Sequence, residues 1–482
     1  MVGAGTMGAG IAQLGCAAGM RTLLHDPIPE ALERGAEKTR GGLAKWAEKG
    51  RVDEDAAGLL ETVDSIEALA PCELVIEAAP ERIELKRELF GKLSEACGED
   101  AVLATNTSSI TVTAIAGAAA RPENVVGMHF FNPPPLMKLL EVIRADQTGE
   151  RALSMARDTG EAMGKHVIVA ADGPGFLVNR GGRPFYTEAL RSLQEGQATH
   201  EQIDRVCRLG GGFPMGPFEL MDMVGIDVGF EVAKSFDELS FGEPRWRPNP
   251  IQARLVAAGR LGRKTGEGYY DYSREPYRPD DPDPPERRGG DGRAIALTGE
   301  GKLVDDLRER ASSAGFELGA QDAEVELCLC AGRSLAAQAD RGERSVGFYA
   351  LALEDSRLVE LTRLPGSSDE AAAAAERFFA SLGFHHEWVG DAPGLVLGRI
   401  VCGLVNEAAF AIGEGIGSAE DVDAGLELGL SHPRGPVGWG ERIGLDHVLE
   451  VIDGLFAERH EERYRAAPLL RRAVALGVGL RA

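Results

Sequence analysis

Long apolar runs are missing from this chain of 482 residues. No uninterrupted stretch reaches the ~20 residues that a membrane-spanning helix needs, and no signal peptide precedes the first motif. Cysteine is scarce and scattered: of seven, only Cys328-x-Cys330 stand close together, inside an apolar strand-like run. Reduced, buried thiols in a cytoplasmic protein are expected, with neither a disulfide framework nor a metal site. Positive charge is in deficit. With 52 Lys and Arg against 76 Asp and Glu, the net charge is −24. Neither nucleic acid nor an anionic membrane is therefore expected as a partner, since both need a net basic face. An anionic metabolite is compatible with this balance only through local Lys or Arg groups or helix N-termini.

What the chain does hold is a near-repetition. "DGPGFLVNR" at 172–180 returns as "DAPGLVLGR" at 391–399, 219 residues on. At the same offset His166 recurs as His385, Glu188 as Glu407, Pro214 as Pro433, Pro217 as Pro436, Gly225 as Gly444 and Asp227 as Asp446. A constant offset without a gap marks a duplicated module of roughly a hundred residues, the size of a domain. Scattered Gly-Pro turns would not keep register across the helices between them. The total length suits two to four domains.

The chain opens "MVGAGTMGAGIAQLGCAAG". Gly3, Gly5 and Gly8 fit G-x-G-x-x-G, with Thr6 and Met7 inside the loop. A helical pattern follows (Ile11, Leu14, Ala17, Ala18), then a short strand, "RTLLHD", ending in Asp26. In a dinucleotide-binding βαβ unit the first glycine makes the turn and the second admits the pyrophosphate. The third lets helix and strand pack, and an acid about 20 residues on holds the ribose 2′-hydroxyl. A lone glycine motif is more often just the start of a helix; here glycines, helix, strand and acid come in the right order. NAD is the expected cofactor, because the Asp26 carboxylate would repel the 2′-phosphate of NADP. Only Met1 and Val2 precede the glycines, so the first strand is expected to be a stub or to begin upstream; strands average five or six residues.

Further strands are expected within 72–80, 101–110 and 124–135, with a charged helix between the first two. In an open α/β sheet, function gathers at the carboxyl ends of strands. Glu81, Asn106, Ser108 and His129 stand at or just after such ends. Singly, Asn106 and Ser108 could cap a helix and Glu81 could start one; together they describe one rim. Removing a hydroxyl proton during hydride transfer needs a base titrating near neutrality, for which histidine is suited. His129 ends an apolar strand and precedes the stiff "FFNPPP", whereas His166, retained in the copy as His385, is expected to pack. Twelve residues beyond His129, Glu141 lies in an apolar run, where a carboxylate needs a cationic or hydrogen-bonding partner. A His129–Glu141 pair would orient the ring as in triad logic; an ion pair of Glu141 with Lys138 is the alternative.

The stretches "GAGTMGAGIAQ", "NTSSI", "HFFNPPPLMKLLEVI", "DGPGFLVNR", "GFPMGPFELMD" and "GRKTGEGYYDY" are similar to the NAD-dependent L-3-hydroxyacyl-CoA dehydrogenase family, over residues 1 to about 272. The resemblance implies oxidation of short-chain (3S)-3-hydroxyacyl-CoA to 3-oxoacyl-CoA, with acyl-CoA as the bound partner and one active site per chain. His129 would be the base and Glu141 its partner, with Ser108 and Asn179 hydrogen-bonding the reacting oxygen and the thioester. Beyond the Gly3–Gly8 loop, the family's cofactor positions fall on Asp26, Glu81, Lys86, Asn106, Asn132 and Lys264. A CoA-contacting lysine falls on Lys49, while a neighbouring CoA-contacting serine is Gly42 here. In length the chain resembles the bacterial two-module 3-hydroxybutyryl-CoA or 3-hydroxyadipyl-CoA type. No enoyl-CoA hydratase segment precedes the glycine motif, so a full multifunctional subunit is not expected.

The fold expected is an α/β Rossmann-like domain at 1–170, an all-α substrate and dimerisation domain at 171–272 and a Pro- and charge-rich linker at 273–293. A shortened Rossmann-like remnant at 294–390 and a second copy of the all-α domain at 391–482 would follow. In the remnant Val304 replaces the third glycine, Phe348 and Tyr349 stand where His129 should recur, Glu360 keeps the place of Glu141, and Asn179 becomes Gly398. A structural relic is expected there. It would cover, as an internal pseudo-dimer, the surface through which the family's helical domain dimerises; a further homo-oligomer stays open. The alternatives in function are a related dehydrogenase of free 3-hydroxyacids, of the L-gulonate type, and a catalytically inactive NAD-binding assembly protein.

Overall fold

Sheet formation starts two residues into the chain. In the computed structural model, which describes residues 1–319, 322–339 and 341–482, two compact units are distinguished: 1–180 with 415–430, and 181–414 with 431–482. The first unit alternates α1 (Thr6–Ala17), β1 (Thr22–His25), α2 (Pro29–Ala47), β2 (Leu60–Val63), β3 (Leu74–Glu77), α3 (Ile83–Ala96), β4 (Val102–Thr105), α4 (Val112–Ala116), β5 (Val125–Phe130), β6 (Leu139–Arg144), α5 (Glu150–Ala162) and β7 (His166–Ala171). Strands β3-β4-β5-β6-β7 lie in that order, parallel except for the antiparallel β5–β6 pair, and β1 pairs with β2 in parallel.

The missing first strand is a stub that joins the two sheets. Val2 bridges both β1 and β3: its N–H donates to Ile76 O at 2.9 Å, Ala78 N–H donates to its carbonyl at 2.8 Å, and Gly3 N–H donates to His25 O at 2.8 Å. Two residues suffice because neighbouring strands satisfy both edges of their backbone. Apolar side chains of α1, α2, α5 and the strands, among them Ile11, Leu43, Met128 and Val142, form the core of this layer. Its remaining piece comes from far along the chain, the helix Ala419–Leu430, which lies against β6 and β7.

After α6 (Val178–Gly181) the chain runs through α7 (Arg183–Gln194), α8 (His200–Gly211), α9 (Pro217–Val224), α10 (Ile226–Leu239) and α11 (Pro250–Ala257). The second sheet follows: β8 (Ala294–Thr298), α12 (Lys302–Ser313), β9 (Glu317–Leu318), β10 (Val325–Leu329), β11 (Ser345–Tyr349), β12 (Leu358–Thr362), α13 (Asp369–Ser381) and β13 (His385–Trp388). Its order is β13-β12-β11-β10-β8-β9, again with one antiparallel pair, β11–β12. Helices α14 (Leu397–Gly413), α15 (Ala419–Leu430), α16 (Pro436–Ile443), α17 (Leu445–Arg459) and α18 (Pro468–Leu476) complete the chain.

The 219-residue offset recurs in the contacts. Ala171 N–H donates to Ile416 O at 2.8 Å, and the counterparts Gly390 and Gln197 make the same bond at 2.6 Å. A Cβ at Gly403 would lie 3.3 Å from Pro184 Cβ, and 403 is the counterpart of 184. Arg399, fully buried on α14, donates to Glu188 and Glu195 at 2.8 Å.

One expectation needs correction, that for His166. The stretch 273–293, expected as a linker, forms no helix or strand, and side chains from it bond to α8 and α9. Asp281 accepts from Arg208 Nε at 2.7 Å and Nη2 at 2.8 Å, and Tyr277 donates to Glu219 at 3.0 Å. Two of its charges, Asp281 and Arg278, are ion-paired to Arg208 of α8 and Glu219 of α9. His166, expected to pack, is exposed; what the copies share is a backbone bond opening the strand, His166 N–H to Lys138 O at 2.8 Å and His385 N–H to Arg357 O at 2.9 Å. The seven cysteines are free thiols, six of them buried and Cys72 half-buried.

Candidate active site

The glycine turn is shaped for a dinucleotide. Gly3 has φ +91°, and a Cβ there would lie 2.7 Å from Ala78 O; a Cβ at Gly8 would fall 1.8 Å from Gly3 O. Neither position tolerates a side chain. Gly5 faces open space and is the N-cap of α1, which has no side-chain cap and no acid in its first turn. The free N–H groups and positive end of α1 are therefore left for a ligand's phosphates. At the end of β1, Asp26 accepts from Ala4 N–H at 2.8 Å and Ile28 N–H at 3.0 Å, which holds its carboxylate beside that turn. These residues fit NAD.

Across the sheet, β5 and β6 run antiparallel with His129 directly opposite Glu141. Both are buried, and His129 Nδ1 lies 2.8 Å from Glu141 Oε2. The other oxygen, Oε1, accepts from the backbone N–H groups of Leu177 and Val178, each at 2.9 Å. Those amides come from "DGPGFLVNR", whose turn is made by Gly175 (φ +69°) and Phe176 (φ +53°). Left-handed backbone at a non-glycine costs about 1–3 kcal/mol and persists where the surroundings impose it; here it aims two amides at one carboxylate. With Glu141 accepting at Nδ1, the Nε2 lone pair of His129 faces the Ser108 hydroxyl at 3.0 Å. The alternative Lys138 partnership of Glu141 is not formed.

Comparison with known proteins bears directly on this arrangement. Residues 1–173 match the NAD binding domain of 3-hydroxyacyl-CoA dehydrogenase, and 175–272 and 394–481 both match its C-terminal domain. The chain belongs to the 3-hydroxyacyl-CoA dehydrogenase family. Its activity is NAD-dependent oxidation of a 3-hydroxyacyl-CoA. It is 36% identical to 3-hydroxyadipyl-CoA dehydrogenase of Escherichia coli K12, across 99% of this chain and 98% of that one. A crystal structure of 3-hydroxybutyryl-CoA dehydrogenase from Escherichia coli K12 superposes with a TM-score of 0.87 at 35% identity, covering 98% of this chain and 97% of that one. The probable 3-hydroxybutyryl-CoA dehydrogenase of Deinococcus radiodurans is 39% identical over 56% of this chain and 99% of its own.

The other positions singled out for this family are arranged as follows. Glu81 accepts from the Thr107 hydroxyl at 2.6 Å and from the N–H groups of Ser108 and Ser109 at 3.0 Å, fastening the turn that carries Ser108. Burial opposes its charge, but Thr107, Lys86 and those amides hold the carboxyl below its ordinary value. Asn106 accepts from Phe130 N–H at 2.8 Å and so ties β4 to the residue after His129. Asn132 is exposed on the loop beyond β5, Asn179 follows the Val178 amide, and Lys49 is exposed beyond α2. Lys264 belongs to the second unit, where it pairs with Asp227 at 2.5 Å. Lys86, one of the family's cofactor positions, is fully buried. Its side chain has no accessible surface and pairs with Glu77 at 2.7 Å and Glu81 at 3.6 Å. The family's serine is Gly42 here because Gln13 fills the space; a Cβ would lie 2.2 Å from Gln13 Oε1.

Two contributors went unnoticed in the sequence. Glu77 joins Lys86 to the Thr105 hydroxyl, 2.7 Å away, at the end of β4; its place in the apolar "ELVIEAAP" carried the same signal as Glu141. Lys165 donates to the carbonyls of Pro134 (2.6 Å) and Met137 (2.7 Å), securing the loop that bears Asn132, and burial pulls its ammonium down to about 8.

The corresponding place in the second sheet is filled. Tyr349 stands opposite Glu360, as His129 does opposite Glu141. Glu360 accepts from Val396 and Leu397 N–H at 2.9 and 3.0 Å, the counterparts of Leu177 and Val178. The Tyr349 hydroxyl meets His447 Nε2 at 2.9 Å, and a Cβ at Gly398 would lie 2.5 Å from Tyr349 Cζ. With Tyr349 in this place there is no room for an asparagine at 398.

Proposed function

We propose that the chain oxidises short-chain (3S)-3-hydroxyacyl-CoA at a single active site centred on His129. The observation that carries this reading is the line from the exposed Ser108 hydroxyl to the buried His129–Glu141 pair, at the end of the sheet that holds the glycine turn. Bound NAD would supply the hydride acceptor. Gly3, Gly5, Thr6, Met7 and Gly8 would hold its pyrophosphate at the N-terminus of α1 and Asp26 its ribose, with Glu81, Asn106 and Asn132 as further cofactor positions; Lys264 is the family's cofactor position on the other unit. Lys86 would act through Glu81. His129 Nε2 takes the hydroxyl proton, and Glu141 holds Nδ1–H and stabilises the imidazolium. Ser108 and Asn179 hydrogen-bond the reacting oxygen and the thioester, and Lys49 meets CoA.

The division into four domains and a linker, with boundaries at 170, 272, 293 and 390, is part of the same proposal, as is an internal pseudo-dimer of the two helical copies. Its support is the reciprocal bonding of Ala171 with Ile416 and of Gly390 with Gln197, and the approach of Gly403 to its own counterpart, Pro184. Reciprocal contact of equivalent residues is the mark of a two-fold arrangement. Filling of the second site by Tyr349 supports one active site per chain. A cytoplasmic location is in keeping with the free thiols, and among the described residues no helix is long and apolar enough to cross a membrane.

The relatives' names point to 3-hydroxybutyryl-CoA and 3-hydroxyadipyl-CoA as the substrates to compare. Loss of NADH absorbance with acetoacetyl-CoA, 3-oxoadipyl-CoA and free 3-oxoacids separates the choices. Turnover of thioesters alone supports the proposal, and turnover of free acids alone would refute it.

A further inference from the structure

Helix α15 belongs by sequence to the second helical copy, yet it seats in the first unit. It does so through glycines. A Cβ at Gly429 would lie 3.0 Å from Val178 Cγ1 and 3.5 Å from Phe131 Cε1; at Gly425, 3.0 Å from Val178 Cγ2; and at the preceding Gly417, 2.9 Å from Leu177 Cδ2. These three neighbours flank the catalytic pair. The amides of Leu177 and Val178 hold Glu141, and the Phe131 ring lies 4.7 Å from that of His129. Gly425 and Gly429 are one helical turn apart, so both face the site.

We propose that α15 is a positioning element of the active site: the second module, its own site filled, sets the geometry of His129 and Glu141 in the first. The side chains that α15 presses on carry the two amides of the carboxylate clamp and one wall of the histidine. A bulkier residue at 429 would push Val178 and Phe131 and so turn Glu141 and His129 out of register, while α1 and Asp26 lie outside the contact. The second copy is thereby required for turnover without touching substrate. This rests on the dehydrogenase reading above.

The test compares full-length parent, Gly429→Val, Gly429→Ala and Gly210→Val in the reduction of acetoacetyl-CoA by NADH. Gly210 is the counterpart of Gly429 and makes the same kind of packing on the second sheet, where a Cβ would lie 2.8 Å from Leu397 Cδ2. For Gly429→Val, kcat is expected to fall about 10-fold or more, since displacements near 1 Å can cost ~10²-fold. KM for both substrates should stay within about twofold. Gly429→Ala should show a smaller loss with the same split. Gly210→Val should lose comparable thermal stability with kcat unchanged, and adding Val178→Ala to Gly429→Val should return much of kcat. Parental kcat in both Gly429 variants, or a loss matched by Gly210→Val, would overturn the proposal; should Gly429→Val fail to fold, Gly429→Ala decides it. An inert parent would instead overturn the dehydrogenase reading.

Discussion

His129 presents a bare Nε2 only while an anionic oxygen holds Nδ1–H, and two backbone amides keep Glu141 in place for that. His129→Gln should therefore reduce turnover by the ~10²–10⁴-fold typical of losing a general base, with the NADH dissociation constant little changed in a fluorescence titration. Near-parental turnover would remove His129 from the mechanism. Glu360 is the same carboxylate without its histidine. Burial, against the help of the Val396 and Leu397 amides, pushes its carboxyl up to about 8. A carboxyl raised in the folded state stabilises the fold fully below its unfolded value near 4.3, and that contribution is lost as pH rises toward 8. Glu360→Gln should thus gain on the parent in urea midpoint between pH 5 and pH 8.5, by a few kcal/mol at most. A constant difference across that range would show that the Glu360 carboxyl is not raised in the fold.

At the scale of elements, "DGPGFLVNR" and "DAPGLVLGR" are alike because each makes a left-handed turn that offers two amides to a strand carboxylate. That turn survived in the second copy because an unpaired buried carboxylate is costly whether or not it serves catalysis. The stretch 273–293 shows a related economy, fixing backbone without secondary structure by pairing Asp281 with Arg208. Asp281→Asn removes a two-pronged ion pair from a largely buried guanidinium. A loss of about 1.5–3 kcal/mol in urea unfolding at neutral pH is expected. Arg208 holds the Asp281 carboxyl below its ordinary value, so the difference should vanish as pH falls through that depressed value. An unchanged midpoint at pH 7 would show that the Asp281–Arg208 pair adds nothing to stability.

For the whole molecule, the Deinococcus relative matches 56% of this chain over nearly its own full length, the length of a single module. This chain adds a fused copy whose α15 lies on the first sheet. Cutting after Tyr272 removes α15 and uncovers the apolar faces of Leu139, Ile168 and Val178 that met it. Large exposed apolar patches rarely persist on monomers. Light scattering should find the truncated chain as a homodimer or aggregate; a monomeric, fully active product would sink the scaffold role of the second copy.

Order and spacing along the chain were enough for the glycine turn, Asp26, His129 with Glu141, and the duplication, because each is a local pattern or a fixed offset. The filled second site was half legible: Tyr349 and Gly398 stood in the right places, but only packing shows that one excludes the other. Lys86, His166 and Gly42 were misread or left unexplained for one reason. Whether a side chain reaches solvent, a partner or a neighbouring helix depends on which residues the fold brings beside it: Glu77 for Lys86, Gln13 for Gly42. The seating of α15 beside the catalytic pair lay wholly outside the sequence's reach, since 429 and 178 are linked by no motif. Local chemistry determined what each residue could do; which residues meet was decided by burial of apolar faces between segments hundreds of residues apart.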